Sequence, residues 1–391
     1  MKTIYITNGT VVLPNGIERN KTLVLRNGKI EGLWDGTPNA VDGEIVNANG
    51  GYVVPGFIDL HLHGGGGADF MDATESAFHT VVHTHFRHGT TALLPTTVAA
   101  DKKAMQDFFD LYRKAKNETT GAELLGIHLE GPYISQEMKG AQNPAYIREP
   151  NEGEIAWIAE NADIVARITA APELKGVEQL AKRCAPFNIA LCVGHSNAVC
   201  GQVLKAVEYG FHHITHLYSN TPSVRKIGQT VYAGIVEAAY LSDDITIELI
   251  GDGCHVAKET MQMAFKLKGA DNVALVTDAM RAAGTDVTES YLGAIKPENK
   301  VIVEDGVAKL PDKSFFAGSI ATMDRVFKTA VARYGISLTD ACKAVSLTPA
   351  RLAGVAQRKG SLEAGKDADV VVLDQDFSVR LVLSKGICLN G

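Results

Sequence analysis

Eight short apolar runs, at 57–61, 91–95, 124–130, 164–170, 189–195, 213–216, 245–250 and 273–278, alternate with stretches of helical periodicity. Runs this short read as candidate strands. Between them Ala77, Phe78, Val81, Val82, His85 and Phe86 recur at three-to-four spacing, as do Met105, Phe108, Phe109 and Tyr112, and that spacing marks one face of a helix. A further helix is expected over 199–209, stopped by Gly210. Strand-then-helix units in series predict an α/β chain built on a parallel (β/α)8 TIM-type barrel, with its active site at the C-terminal ends of the strands.

The first run ends in Asp59-Leu60-His61-Leu62-His63, followed by Gly64, Gly65, Gly66 and Gly67. Alternate residues of a strand share a face, so His61 and His63 present their imidazoles on one side, about 7 Å apart along the backbone. Two imidazoles on one rigid strand suit a divalent ion, and the glycines let the backbone turn and approach a ligand closely. Alone, the pair reads equally well as a buried strand entering a turn. The other runs decide the matter: Glu130 ends the third, His195 the fifth, His216 the sixth and Asp278 the eighth, while His255 follows the seventh. All face one mouth of the expected barrel, and satisfied core histidines have no reason to fall at strand C-termini. His79, His83, His85 and His88 lie on or beside the first expected helix, outside that mouth, and read as helix-face residues. His212 and His213 read as structural.

The two ends of the chain differ from its middle. Residues 1–55 read as short strands at 4–6, 11–13, 22–25, 30–33 and 52–54, with hairpin signals at Asn15-Gly16 and Asn27-Gly28. Residues 356–391 supply further strands at 368–373, 380–383 and 387–389. Neither end carries enough apolar residues to stand alone, so the termini are expected to pair into a small β-sandwich domain beside a barrel of residues 56–355. With 46% hydrophobic residues in 391, the chain can bury a core of that size. A net charge of -7 without a basic stripe argues against a nucleic-acid partner. No run is long and apolar enough to span a bilayer, and Met1 to Thr10 alternates like a strand instead of forming a signal peptide's apolar block. A cytoplasmic protein with no membrane partner is expected. Cys184, Cys192, Cys200, Cys254, Cys342 and Cys388 show no Cys-x-x-Cys spacing and read as reduced core thiols.

His61-Leu62-His63-Gly64, His128-Leu129-Glu130-Gly131-Pro132-Tyr133, Gly194-His195-Ser196, Thr215-His216-Leu217-Tyr218, Asp252-Gly253-Cys254-His255 and Thr277-Asp278-Ala279 resemble the successive motifs of the N-acetylglucosamine-6-phosphate deacetylases, within the amidohydrolase superfamily. The tail Gly360-Ser361-Leu362-Glu363-Ala364-Gly365-Lys366-Asp367-Ala368-Asp369 is similar to the family's own, and the motifs run in order along nearly the whole chain. The block around Glu130 is the most specific; His-x-His is shared by the wider superfamily. The resemblance implies that Glu130, His195 and His216 hold a main divalent ion. His61 and His63 would hold a second, with Glu130 bridging. Zinc stands ahead of iron, cobalt or manganese, with one or two ions per subunit.

The resemblance further implies hydrolysis of the acetamide of N-acetyl-D-glucosamine 6-phosphate in amino-sugar catabolism. Asp278 would be the catalytic acid/base, Gln142 would polarise the acetyl oxygen, and His255 would contact substrate. Arg225 would bind the phosphate from across a homodimer interface, giving a shared active site. These roles match the residue types: a carboxylate can pass a proton to a departing amine, an amide N–H can polarise a carbonyl, and a guanidinium fork suits a phosphate. Each also has a plainer reading: Gln142 as a solvated loop residue, Asp278 as a ligand alone, Arg225 and Lys226 as a solvated pair. After Tyr218 the family usually continues Asn-Ala-Met, whereas this chain has Ser219-Asn220-Thr221-Pro222 in the segment that lines the sugar site. That departure leaves open another N-acetylhexosamine 6-phosphate, such as the galactosamine epimer. A cyclic-amide hydrolase of the same superfamily would carry a lysine on the fourth run, and 164–173 has none. A non-catalytic scaffold would be expected to lose a ligand or the aspartate, yet His61, His63, Glu130, His195, His216 and Asp278 are all present.

Overall fold

The computed structural model describes residues 3–37, 42–118 and 120–389; Met1 and Lys2, the start of the stretch expected to alternate like a strand, lie outside these. Eight parallel strands form where the apolar runs place them: Phe57–Leu62, Thr90–Pro95, Ile127–Glu130, Val165–Ala170, Ala190–Val193, Phe211–Ile214, Thr246–Ile250 and Val273–Val276. The third to eighth pair successively, and the first pairs with the second. Isolated parallel bridges between Thr96 and His128 and between Leu62 and Ala279 link the two groups. The result is a curled parallel sheet, consistent with the expected TIM-type barrel. Its strands are buried almost throughout, which is why their sequences are continuous apolar runs without alternation.

Helices Glu75–Arg87, Lys102–Glu118, Glu152–Glu160, Val177–Cys184, Cys200–Val207, Ile235–Leu241 and Lys258–Lys268 follow the first seven strands in turn. The first starts at Thr74, whose side chain accepts the Ala77 N–H and so satisfies one of the free donors of the opening turn. Its buried face is the expected set Ala77, Phe78, Val81, Val82, His85 and Phe86. The helix expected over 199–209 is shorter, Cys200–Val207. Among the described residues no helix is long and apolar enough to cross a membrane.

One element was not foreseen. After strand eight, Glu289–Tyr291, Lys300–Glu304, Val307–Lys309 and Phe316–Ser319 form a four-stranded antiparallel sheet ahead of the helix Met323–Lys328. Its last strand is tied to the end of strand eight: the Ser319 N–H donates to Asp278 O at 2.7 Å and the Met280 N–H to Ser319 O at 2.8 Å.

The two ends of the chain share one mixed seven-stranded sheet. Its path runs Val379–Leu383, Val370–Leu373, Tyr52–Pro55, Thr3–Leu13, Gly16–Arg26, Lys29–Asp35, with Glu44–Asn47 added against Thr3–Leu13. The antiparallel pairing of Val370–Leu373 with Tyr52–Pro55 joins the C-terminal to the N-terminal segment, and Ile4, Ile6, Val11, Leu23, Val370 and Val372 share a core. The runs at 4–6 and 11–13 merge into one strand that is irregular around Gly9. The strand expected at 387–389 is reduced to a single bridge, Ser384 to Ile387. Lys385 and Gly386, at φ 48° and 73°, turn the chain too tightly there for more.

Candidate metal centre and active site

His61 lies within strand one and Glu130 ends strand three. His63 directly follows strand one, where its own N–H and that of Gly64 donate to Ala279 O. His195, His216 and Asp278 stand just past the ends of their strands, at φ 47°, 31° and 49°. The left-handed backbone stops ladder pairing, so these three lie beyond the strands that the apolar runs alone would have assigned them. Such conformations are costly for side-chain-bearing residues and persist where surrounding structure enforces them. Here that structure is a sheet whose strands bring all six side chains to one mouth.

Glu130 Oε1 is 3.1 Å from His195 Nε2 and 2.9 Å from His216 Nε2, and the two nitrogens are 3.2 Å apart. His61 Nε2 lies 3.4 Å from Glu130 Oε1 and 3.5 Å from Asp278 Oδ1; His63 Nε2 lies 3.4 Å from Glu130 Oε2 and 3.2 Å from Asp278 Oδ1. Donor atoms converge in two groups, His61–Glu130–His216 and His61–His63–Asp278. A tetrahedral ion with bonds of 2.0–2.2 Å spaces its donors roughly 3.3–3.6 Å apart, and separations of 2.9–3.5 Å lie at or just below that spacing. The Nε2 of His61 is buried with no hydrogen-bond partner, as a ligand atom facing a cation would be. On the far side of the rings, His195 Nδ1 lies 2.8 Å from Met138 O, His63 Nδ1 3.3 Å from Thr96 O and His61 Nδ1 3.3 Å from Glu248 Oε2. Acceptors at Nδ1 turn the Nε2 atoms inward.

The electrostatics point the same way. Burial pulls His61 and His63 down, yet Glu130 and Asp278 hold both above the ordinary histidine value. Burial likewise pushes Glu130 and Asp278 up, and the surrounding histidines outweigh it, holding Glu130 well below and Asp278 below the usual carboxylate values. Two ionised carboxylates among imidazoles make a site that favours positive charge. The residues fit one or two divalent ions.

The mouth opens into a cavity of about 320 Å³ lined by His63, Glu130, Gln142, His195, His216, Ser219, Asn220, His255 and Asp278. Tyr218, Leu292, Phe315 and Phe316 also line it; the last three come with the unforeseen sheet. Gln142 is buried, with Nε2 donating to Glu130 Oε2 at 2.8 Å and Oε1 accepting the Ala99 N–H at 2.7 Å. It is therefore not a solvated loop residue, and its amide is engaged with the carboxylate. His255 Nδ1 lies 2.8 Å from Asp252 Oδ2, and its ring meets Phe316 edge-on at 4.8 Å. Arg225 is not brought to this cavity. It donates from Nη2 to Asn197 O and Ala198 O, and its buried Nη1 has no partner.

The glycine run turns the backbone as expected, with Gly66 and Gly67 at φ 65° and 89°, but its close approach is to the protein itself. A Cβ on Gly64 would meet Ala68 O at 2.4 Å and Arg281 N at 2.9 Å, and one on Gly65 would lie 2.7 Å from His85 Nε2. These glycines admit the protein's own backbone and His85, not a ligand. His85 Nε2 is 2.9 Å from Gly64 O, and burial drives its imidazole down to about 4, so it is a neutral residue on the buried face of the first helix. His83, His88 and His213 have partners of their own in Thr120, Asp324 and Thr246.

Four buried polar residues behind the site were missed: Asp59, His128, Arg167 and Glu248. The available signal was a charge inside an apolar strand run, which is rarely buried unless paired. Asp59, pushed up to about 7 by burial, accepts the Thr277 hydroxyl at 2.5 Å. Burial also raises Glu248, but Arg167, His213 and His61 bring it well below the carboxylate range.

Residues 52–388 match the amidohydrolase family. Over 393 residues the chain is 31% identical to the N-acetylglucosamine-6-phosphate deacetylase of Lysinibacillus sphaericus, covering 98% of this chain and 97% of that one. It is 33% identical over 338 residues to the N-acetylgalactosamine-6-phosphate deacetylase of Shewanella sp. strain ANA-3, covering 86% and 82%. A structure similar to it is that of an aspartate-to-alanine mutant of the Mycobacterium smegmatis N-acetyl-D-glucosamine-6-phosphate deacetylase, in complex with N-acetyl-D-glucosamine-6-phosphate. The TM-score is 0.89 at 30% identity, over 99% of this chain and 98% of that one. With strand order, converging side chains and full-length similarity in agreement, the chain belongs to the amidohydrolase family, in the branch of the N-acetylglucosamine-6-phosphate deacetylases.

Proposed function

We propose that the protein hydrolyses the acetamide of N-acetyl-D-glucosamine 6-phosphate, releasing D-glucosamine 6-phosphate and acetate. The observation that carries this reading is the convergence of His195, His216, His61 and His63 on Glu130, with Asp278 beside His61 and His63, at one sugar-sized cavity. Glu130, His195 and His216 would hold one divalent ion, zinc first, and His61 and His63 with Asp278 a second. When bound, such an ion supplies Lewis acidity and brings the pKa of a coordinated water down to about 7. Asp278 accepts a proton from the attacking water and delivers it to the departing amine, which otherwise leaves poorly. Gln142 holds Glu130 in place through Oε2. Ser219, Asn220 and His255 face the sugar, with His255 steadied by Asp252. Arg225 receives the phosphate in the cavity of a second subunit, which makes the working form a homodimer. We read the curled sheet as a closed (β/α)8 barrel of residues 56–355, and the terminal sheet, from 1–55 and 356–391, as a small β-sandwich domain.

A second reading, the galactosamine epimer, is favoured by the 33% identity to the Shewanella relative and by Ser219-Asn220-Thr221 at the sugar-facing segment. Acetate release from both N-acetylhexosamine 6-phosphates and from free N-acetylglucosamine, with zinc-loaded and chelator-stripped protein, tests both. Highest kcat/KM on the glucosamine phosphate, lost on stripping, is expected; preference for its epimer selects the second reading, and acetate release unaffected by stripping overturns the metal-dependent mechanism.

A further inference from the structure

Behind His61 lies a carboxylate that the reaction has not yet used. Glu248, within strand seven, is 0% exposed. Its Oε2 is 3.3 Å from His61 Nδ1 and accepts the His216 backbone N–H at 3.4 Å. Its Oε1 accepts from Arg167 Nη1 at 2.5 Å and lies 3.3 Å from His213 Nε2. Arg167, 4% exposed on strand four, also donates from Nη2 to Cys192 Sγ at 3.0 Å. A guanidinium stays charged, so the carboxylate beside it remains ionised and can only accept. An acceptor facing Nδ1 puts the ring proton there and leaves the Nε2 lone pair directed at Glu130 and Asp278. Only in that tautomer can Nε2 bind a cation. The orphaned state of His61 Nε2 agrees with this assignment.

We propose that Glu248 is a positioning residue that fixes the tautomer and orientation of His61, and thereby governs retention of the ion held by His61, His63 and Asp278. The proposal rests on the reading of the site as a metal centre. It also explains the mixed company Glu248 keeps: Arg167 balances its charge, His61 is the ring it aims, and the His216 N–H ties the same carboxylate to a ligand of the other ion.

Glu248→Gln separates this role from simple packing. The amide has one accepting oxygen, which Arg167 claims, so its NH2 turns toward His61 Nδ1. The ring must then accept at Nδ1 and carry its proton on Nε2, where it blocks coordination. In zinc-loaded full-length protein titrated with a chromophoric chelator, the variant should keep one ion per subunit with unchanged affinity and bind the other about 10- to 100-fold more weakly. His61→Asn should lose the same ion, and the double variant should lose no more than His61→Asn alone. Should Glu248→Gln fail to fold, histidine ¹⁵N spectra of the zinc-loaded native protein give an independent answer: the signal removed by His61→Asn should be that of a ring protonated at Nδ1. Two ions of native affinity in Glu248→Gln, or a native His61 protonated at Nε2, overturns the proposal while leaving the metal centre intact. Native protein that holds no ion at all overturns the metal-centre reading with it.

Discussion

Asp278 shares its Oδ1 between His61 and His63 at 3.5 and 3.2 Å while lining the cavity, the position required of a group that must touch both an ion and a substrate. Asp278→Asn keeps the shape but cannot move a proton. Turnover measured by acetate release should fall by about 10²–10⁴ with the fold retained; near-native turnover would reduce Asp278 to scaffolding. Every residue in this group could be named from the sequence, because each ends or just follows an apolar run and strand C-termini form a mouth. Residues inside the runs were another matter. Glu248, Arg167 and Asp59 are isolated charges among apolar neighbours, and only their pairing across strands far apart in sequence shows that they act together. The bond of Gln142 to Glu130 is hidden on the same ground, since it depends on a loop path that spacing does not reveal.

Among the elements, the tail motif 360–369 illustrates how a signature can be recognised before its physical purpose is. Glu123, on the short strand Glu123–Leu124 beside strand two, accepts from both Arg358 terminal nitrogens and pairs with Lys359 Nζ at 3.1 Å and Lys385 Nζ at 3.0 Å. Lys359, 1% exposed, also meets Asp369 Oδ2 at 2.5 Å, and Asp367 pairs with Lys29 at 2.7 Å. The tail is thus the electrostatic joint between terminal and parallel sheets. Burial raises Glu123, but Arg358, Lys359 and Lys385 outweigh it and bring it to about 2, against an ordinary 4.5. A carboxylate depressed on folding stabilises the native state in full above its unfolded value and loses that contribution as pH falls toward the folded one. Calorimetric melting of native protein and Glu123→Gln should therefore differ most near pH 6, with the gap closing between pH 4.5 and about 2. A gap independent of pH would mean that the charge is not what the joint uses. The sheet of 289–319 escaped notice for a simpler reason: its strands are very short, and half-exposed residues such as Ile302 and Phe316 give no continuous apolar run.

For the whole molecule, the proposed phosphate contact turns on where Arg225 lies. Arg225 sits at the start of a two-stranded hairpin, Arg225–Ile227 with Thr230–Tyr232, none of which lines its own cavity. Such a ribbon is marginal unless covered, and this one exposes Val224, Ile227, Val231 and Tyr232 at 55%, 48%, 60% and 41%. Apolar side chains clustered on an exposed ribbon mark a contact surface. In a two-fold dimer each ribbon would lie on the other subunit, and each site would borrow the other's arginine. Arg225→Ala should then lower kcat/KM for the phosphorylated sugar by the equivalent of about 1.5–3 kcal/mol, the worth of a charge-assisted contact, with little effect on the free sugar. Mixing weakened Arg225→Ala subunits with Asp278→Asn subunits, and measuring kcat/KM for the phosphorylated sugar against the two parents, makes the decisive measurement. In a hybrid, the Arg225→Ala subunit keeps its own Asp278 and receives an intact Arg225 from its partner, so one of the two sites is whole and part of the activity returns. Hybrids that assemble without recovering activity would place Arg225 in the service of its own subunit, and a protein that sediments as a monomer at working concentration would remove the shared site altogether.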